Sequence, residues 1–255
     1  MLNTESATMT RTGLFAVIPV FKLKTGRETP NDRLGSSAAR EAIEALQDGD
    51  SPVEVDIYVS RGLKASCDYF LRVRAQDLSD AQQWVEKWLG TAAGRASDLM
   101  DVMVGVTKPR HYITQEKSPQ LDGKLNEAQY QGAQPRFVVV IPVKKCAKWW
   151  ALSETDRARE VDLHTHRSLD YLSCVKRELY HSTGLDEADF ITYFETNDLK
   201  AFHELVVSLA RIPEYEFQIP SGHAMLLGAI HSVPEAIRAL WPQEQQARAG
   251  RGLSA

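Results

Sequence analysis

The sequence has few cysteines, no long apolar run and no excess of one charge. Its 3 cysteines, Cys67, Cys146 and Cys174, are odd in number and show no CxxC spacing, which argues against a disulfide framework and against a zinc site built from thiolates. No stretch reaches the roughly 18 apolar residues that a membrane span needs, and the opening MLNTESATMTRTG is polar, so no export signal is visible in the chain as given. Lys and Arg number 30 against 34 Asp and Glu, a net charge of -4 with no block of one sign. A nucleic-acid footprint is therefore missing, and a small or neutral partner is expected instead. What is present is an ordinary globular composition: 255 residues, 43% hydrophobic, enough for one large domain or two small ones with a proper core.

The chain is organised as an internal repeat. LFAVIPVFKL (14–23) resembles RFVVVIPVKK (136–145), IYVSRGL from Ile57 matches LYHSTGL from Leu179, QDLSDAQQWV from Gln76 resembles NDLKAFHELV from Asn197, and VMVGV from Val102 resembles MLLGA from Met225. Four segments in the same order at a common offset of about 122 residues indicate a duplicated unit. Within each copy, an apolar run rich in Val, Ile and Phe predicts a buried strand. A helix follows, SSAAREAIEAL capped by Ser36 or Ser37 in the first copy and the region SETDRAREVDLHTHRSLDYLSCVKR in the second. Two strands joined by a Gly-containing turn come next, then a helix capped by Asp77 or Asp198, then a short strand. The order β-α-β-β-α-β is the ferredoxin-like motif. Two such units predict an α+β chain in which tandem ferredoxin-like repeats form a dimeric α/β-barrel-type domain, each sheet covering the apolar face of the other. The polar, turn-rich segment KPRHYITQEKSPQLDGKLNEAQYQGAQP reads as a long connection placed to cover a site.

Residues that break the repeat are candidates for work done by one half only. His164 falls opposite Glu41 or Ala42, Arg177 opposite Val55, and Trp149-Trp150 opposite Gly26-Arg27. Helical phase separates the histidines of EVDLHTHRSLDYLSCVKRELYHSTGL. His164 shares a stripe with Tyr171, Leu172 and Val175 and points inward, whereas His166 groups with Asp170 and Ser173 and faces outward. Read as a strand, HTH would instead be a metal pair. His181 repeats the position of Val59 and reads as structural. An inward histidine is either a hydrogen-bonded core residue or a metal or haem ligand, since a porphyrin supplies four nitrogens of its own. Arg177 is similarly open, because an arginine at a helix end also satisfies terminal carbonyls. Trp149-Trp150 reads as packing and Lys144-Lys145 as a solvated edge.

RFVVVIPVKKCAKWWALSETDRAREVDLHTHRSLDYLSCVKRELYHSTGLDEADFITYFETNDLKAFHELVVSLA, together with VDIYVSRGL, VGVTKPRHYI and GAIHSVPEA, resembles the chlorite dismutase family, and in length the long, pentameric lineage of it. The resemblance implies haem b (iron protoporphyrin IX) as cofactor, chlorite as substrate, chloride and dioxygen as products, a homopentamer, and a periplasmic location. It implies that His164 is the axial ligand of the haem iron and that Glu214 is the acceptor for its other N–H. Arg177 is implied as the catalytic distal cation, drawing in chlorite and holding a hypochlorite fragment. Tyr112, Ile113, Lys145, Trp149 and Trp150 are implied in the haem pocket. On this reading 12–120 is a haem-free half, 121–135 a connection and 136–245 the haem-bearing half. The chain departs from the family pattern at His111, where relatives have asparagine, and at Ser221, where they have tryptophan; both changes bear on pocket polarity and haem affinity. Two other classes remain open: a haem peroxidase or coproheme decarboxylase of the same fold, and a barrel protein without haem in which His164 is core.

Overall fold

The structure is a computed structural model, and it describes residues 13–24, 36–48, 51–110 and 112–241. The calls on Gly26, Arg27 and His111 lie outside the described residues. The strands are β1 (Phe15–Leu23), β2 (Val53–Val59), β3 (Tyr69–Ala75), β4 (Ser97–Val106), β5 (Phe137–Lys145), β6 (Val175–His181), β7 (Phe190–Thr196), β8 (Gln218–Ile219) and β9 (Leu226–Ile230). The helices are α1 (Ser36–Leu46), α2 (Leu78–Gly90), α3 (Ala92–Arg95), α4 (Pro119–Glu127), α5 (Ala147–Ala151), α6 (Glu154–Ser168), α7 (Leu199–Leu209) and α8 (Val233–Leu240). Short 3-10 turns cover Leu169–Tyr171 and Pro213–Phe217.

The repeat is visible in hydrogen bonds. β2 pairs antiparallel with β3 from Val53↔Ala75 to Val59↔Tyr69, and β6 with β7 from Val175↔Thr196 to His181↔Phe190. Both hairpins turn in the same way. The Ser60 N–H donates to the Asp68 carbonyl at 2.8 Å, and the Ser182 N–H to the Asp189 carbonyl at 2.9 Å. Gly62 (φ 84) and Gly184 (φ 81) take the left-handed conformation that only glycine adopts freely. The second helices are capped as the sequence predicts. Asp77 accepts from the Ser79 N–H at 2.9 Å, and Asp198 from Lys200 at 2.9 Å and Ala201 at 3.0 Å, each satisfying N–H groups that a helix start leaves unpaired.

Two compact units result, and they interleave along the chain. Of the described residues, one holds 16–24, 36–48, 51–103, 136–138 and 226–241; the other 13–15, 104–110, 112–135 and 139–225. In the first, the strand order β4-β1-β3-β2 is ferredoxin-like, and β9 is added at the edge of β2 through Val59↔Ala229. In the second, β5-β7-β6 is extended by the end of β4 through Val106↔His181. Each unit thus completes its sheet with the last strand of the opposite repeat, which leaves no free edge at β2 or β6. The repeat-matched glycines permit this. A Cβ on Gly105 would lie 2.6 Å from the Ser182 hydroxyl, and one on Gly228 would lie 2.9 Å from the Phe70 ring. The first unit's core stacks Phe21 on Tyr69 at 4.7 Å and sets Trp241 edge-on to Tyr69 at 5.3 Å. Among the described residues no helix is long and apolar enough to cross a membrane.

Two expectations need correction. The long helix through Arg177 ends at Ser168, and Val175 opens a strand, so the stripe joining His164 to Val175 does not exist. Val175–His181 consists mostly of helix formers, and its pairing with β7, which is rich in β-branched and aromatic residues, wins over helical phase there. The polar connection contains α4, which starts with Pro119 in its first turn after Ser118, a start signal that overall polarity masked. The Trp149-Trp150 pair sits on the short helix α5.

Candidate active site

Every site residue read from the sequence falls in one unit. Lys145 is the last residue of β5, Trp149 and Trp150 lie on α5, His164 on α6, Arg177 on β6, and Glu214 on the 3-10 turn Pro213–Phe217. Tyr112 and Ile113 follow β4, with Ile113 buried. Ser153 caps α6 by accepting from the Asp156 N–H at 3.1 Å, and the fully buried positions of that helix are Thr165 and Ser168. His164 is beside them. Its side chain is 33% exposed rather than sealed in the core, while His166 is 51% exposed, as its outward phase predicts.

His164, Glu214 and Lys145 form a chain. His164 Nδ1 lies 2.5 Å from Glu214 Oε2, and the Lys145 ammonium donates to Glu214 Oε1 at 2.6 Å. The same ammonium lies 4.5 Å from the centre of the Trp149 ring, which packs on Phe217 at 5.6 Å. Lys145 is buried, so the reading of Lys144-Lys145 as a solvated edge fails for it. Its place is fixed through the backbone: the Lys145 N–H donates to Asp189 at 2.8 Å, and Lys145 pairs with Gln218 in β8. Burial alone raises the Glu214 carboxyl, but the bonds and charges of His164 and Lys145 outweigh it and hold it down at about 2. A carboxylate on Nδ1 fixes the tautomer of the imidazole and leaves Nε2 with its lone pair free for a metal.

Arg177 stands on a separate element. It pairs with Phe194 across the hairpin, and its guanidinium donates a long hydrogen bond, 3.4 Å, to the hydroxyl of Ser168 at the end of α6. Surrounding protein, and then the charge of Arg110, push it down to about 10, which still leaves a cation at neutral pH. Yet the side chain is exposed.

Tyr112 and Trp150 are joined by a residue the sequence reading missed. Arg157 Nε donates to the Tyr112 hydroxyl at 3.1 Å, and its Nη1 donates to the carbonyls of Trp150 at 3.1 Å and Leu152 at 2.8 Å. Arg157 lies seven residues before His164 on α6, a same-face spacing that would have singled it out. Trp150 is 44% exposed and stacks on Phe190 at 6.4 Å, and His181 meets Phe190 at 5.4 Å, which agrees with a structural role for His181. At the other departure from the family pattern, the Ser221 hydroxyl donates to the His223 carbonyl at 3.1 Å, while the His223 ring pairs with Asp186.

Among the described residues no group of three His, Cys, Asp or Glu side chains is placed to hold a bare metal ion. A single half-exposed imidazole, oriented by a carboxylate, suits instead a group that brings four nitrogens of its own. The donor set fits haem.

Fold and side chains define an α+β protein of tandem ferredoxin-like repeats, with an imidazole–carboxylate–lysine chain and a separate guanidinium in one of its two units. The sequence matches the chlorite dismutase family over residues 35–228. A chlorite dismutase of Ideonella dechloratans is 42% identical over 230 residues, which is 89% of this chain and 80% of that one. A chlorite dismutase of Candidatus Nitrospira defluvii in complex with imidazole has a TM-score of 0.83 at 33% identity, covering 91% of this chain and 96% of that one. A mutant of the same enzyme has the same TM-score, 0.83, at 32% identity, covering 91% and 97%. The chain belongs to the chlorite dismutase family and is an enzyme of that class.

Proposed function

We propose that the chain is a haem b-dependent chlorite dismutase that converts chlorite to chloride and dioxygen. The observation that carries this reading is the division of labour on one scaffold: an imidazole held by Glu214, which Lys145 holds in turn, and a guanidinium on another element that donates to Ser168. When bound, haem supplies the iron centre at which the chlorite oxygens are transferred. His164 would hold the iron through Nε2, and Glu214 accepts its Nδ1–H, raising the basicity of the ring. Lys145 keeps Glu214 ionised and so keeps it an acceptor. Arg177, as a fixed cation that holds its proton, would draw anionic chlorite in and keep anionic species in the pocket. Atoms and charge balance without a reductant, because chlorite contains one chlorine, two oxygens and one negative charge, and the products carry the same.

Trp149, Trp150, Tyr112 and Ile113 line the haem pocket in this reading, which is carried by the second repeat. Homopentameric assembly and a periplasmic location belong to it through the resemblance to the long lineage. The test is a pair of variants with separate readouts. His164→Ala is expected to lose the Soret band on reconstitution with haem, and Arg177→Ala to keep the band but lose dioxygen release. Retention of an unchanged Soret band in His164→Ala would overturn the ligand assignment.

A further inference from the structure

The loop after β4 is tied to α6 at three points. Lys117 pairs with Glu154 at 2.7 Å, the Ser118 hydroxyl donates to Asp162 at 3.2 Å, and the Tyr112 hydroxyl accepts from Arg157 at 3.1 Å. Only the third contact also reaches α5. The helix Ala147–Ala151 is a little over one turn long, so its carbonyl end has no continuing helix to satisfy it. Arg157 closes that end by donating to Trp150 and Leu152, a cation at the negative end of the helix. A planar guanidinium with five N–H donors makes these bonds at once; an ammonium with a single nitrogen does not.

We propose that Arg157 is a positioning residue that sets the Tyr112 phenol and the tryptophan-bearing helix α5 as one unit, and that haem retention depends on this coupling. Because Arg157 Nε–H donates to the phenol oxygen, the hydroxyl hydrogen of Tyr112 is left to donate elsewhere, with its direction fixed by that bond. On α5, a shift of the carbonyl end carries Trp150 with it and, through Trp149, the surface on which the Lys145 ammonium rests. Among the described residues no hydrogen bond or ion pair joins Arg157 to His164 or Glu214. Its effect therefore acts on the walls of the pocket and not on the axial ligand.

This inference rests on the haem reading, and the test separates the two. Haem-loaded wild type, Arg157→Met, Tyr112→Phe and the double variant are mixed with excess apomyoglobin, and the rate of haem transfer is followed by absorbance. Tyr112→Phe is expected to release haem about tenfold faster, the loss of one charge-assisted hydrogen bond, and Arg157→Met, which loses three, at least about tenfold faster. The double variant is expected to fall well short of the roughly hundredfold product that independent sites would give. Reaching that product, or single-variant rates within about twofold of wild type, overturns the proposal. Far-UV circular dichroism of each apo variant guards against plain unfolding. Should Arg157→Met fail to fold, Arg157→Lys carries the test: faster release with the charge kept supports the three-way fork, and wild-type release overturns it. A wild type with no Soret band at all would sink the haem reading instead.

Discussion

Replacing Lys145 by Met removes a cation from inside the protein and leaves its partner behind. The Lys145 side chain is 2% exposed and that of Glu214 11%, so both charges have given up water for each other. Truncating one member of such a pair costs about 3–5 kcal/mol, most of it the penalty of an uncompensated buried charge. His164 still meets Glu214 at 2.5 Å, which places the expectation at the lower end, about 3 kcal/mol. Loss of the contact with the Trp149 ring at 4.5 Å adds about 0.5–1 kcal/mol. With an unfolding entropy of about 2.1 cal/mol/K per residue, a chain of 255 residues loses about 6 °C in Tm for 3 kcal/mol. Urea unfolding and scanning calorimetry of the apo protein measure both quantities. The decisive comparison is the double variant Lys145→Met, Glu214→Gln, which removes the stranded charge and is expected to recover about half of the loss. A cost below about 1 kcal/mol for Lys145→Met, or a double variant that costs the sum of the singles, would refute the argument.

Arg177→Gln should raise KM for chlorite by about 10- to 100-fold, the value of a charge-assisted hydrogen bond, while oxidation of an uncharged peroxidase substrate stays near wild type; steady-state kinetics on both substrates check it. Because the Arg177 guanidinium is held at about 10, it stays protonated across the neutral range. The charge-dependent part of chlorite binding should therefore be flat from pH 6 to 8 and weaken only as pH rises through about 10; a titration at constant ionic strength tests this. Haem at a thousandfold excess over its Kd should stabilise the wild type by about 4 kcal/mol, and calorimetry should find that increment missing in His164→Ala. Asp198→Ala should cost about 1 kcal/mol of stability, since its carboxylate accepts the N–H groups of Lys200 and Ala201, with kcat for chlorite unchanged.

The repeat made most of the fold legible. Two Gly turns, two Asp caps and two period-two hairpins recur at an offset of about 122 residues, and the structure forms both of each, with one N–H capped by Asp77 and two by Asp198. The interleaving of the two units was not legible, because strand neighbours depend on long-range pairing that periodicity does not encode. Gly105 and Gly228 were its only trace, as glycines at matched positions where a neighbouring strand approaches closely. His164 was found by helical phase, although the stripe used to find it ran past the true end of α6. Lys145 was taken for a solvated edge because composition cannot reveal a buried partner 69 residues later in the chain. Arg157 went unnoticed because its seven-residue spacing from His164 marks a shared face but reveals no partner. Only the loop and α5 folding onto that face give it a task.

The central claim is that these side chains serve to make dioxygen from chlorite, and oxygen yield tests it most directly. An oxygen electrode records the release when chlorite is added to haem-loaded protein with no reductant present. The account predicts about one dioxygen per chlorite consumed, with chloride as the other product and little release from Arg177→Ala. Chlorite that persists, or disappears without dioxygen, beside an intact Soret band would contradict it.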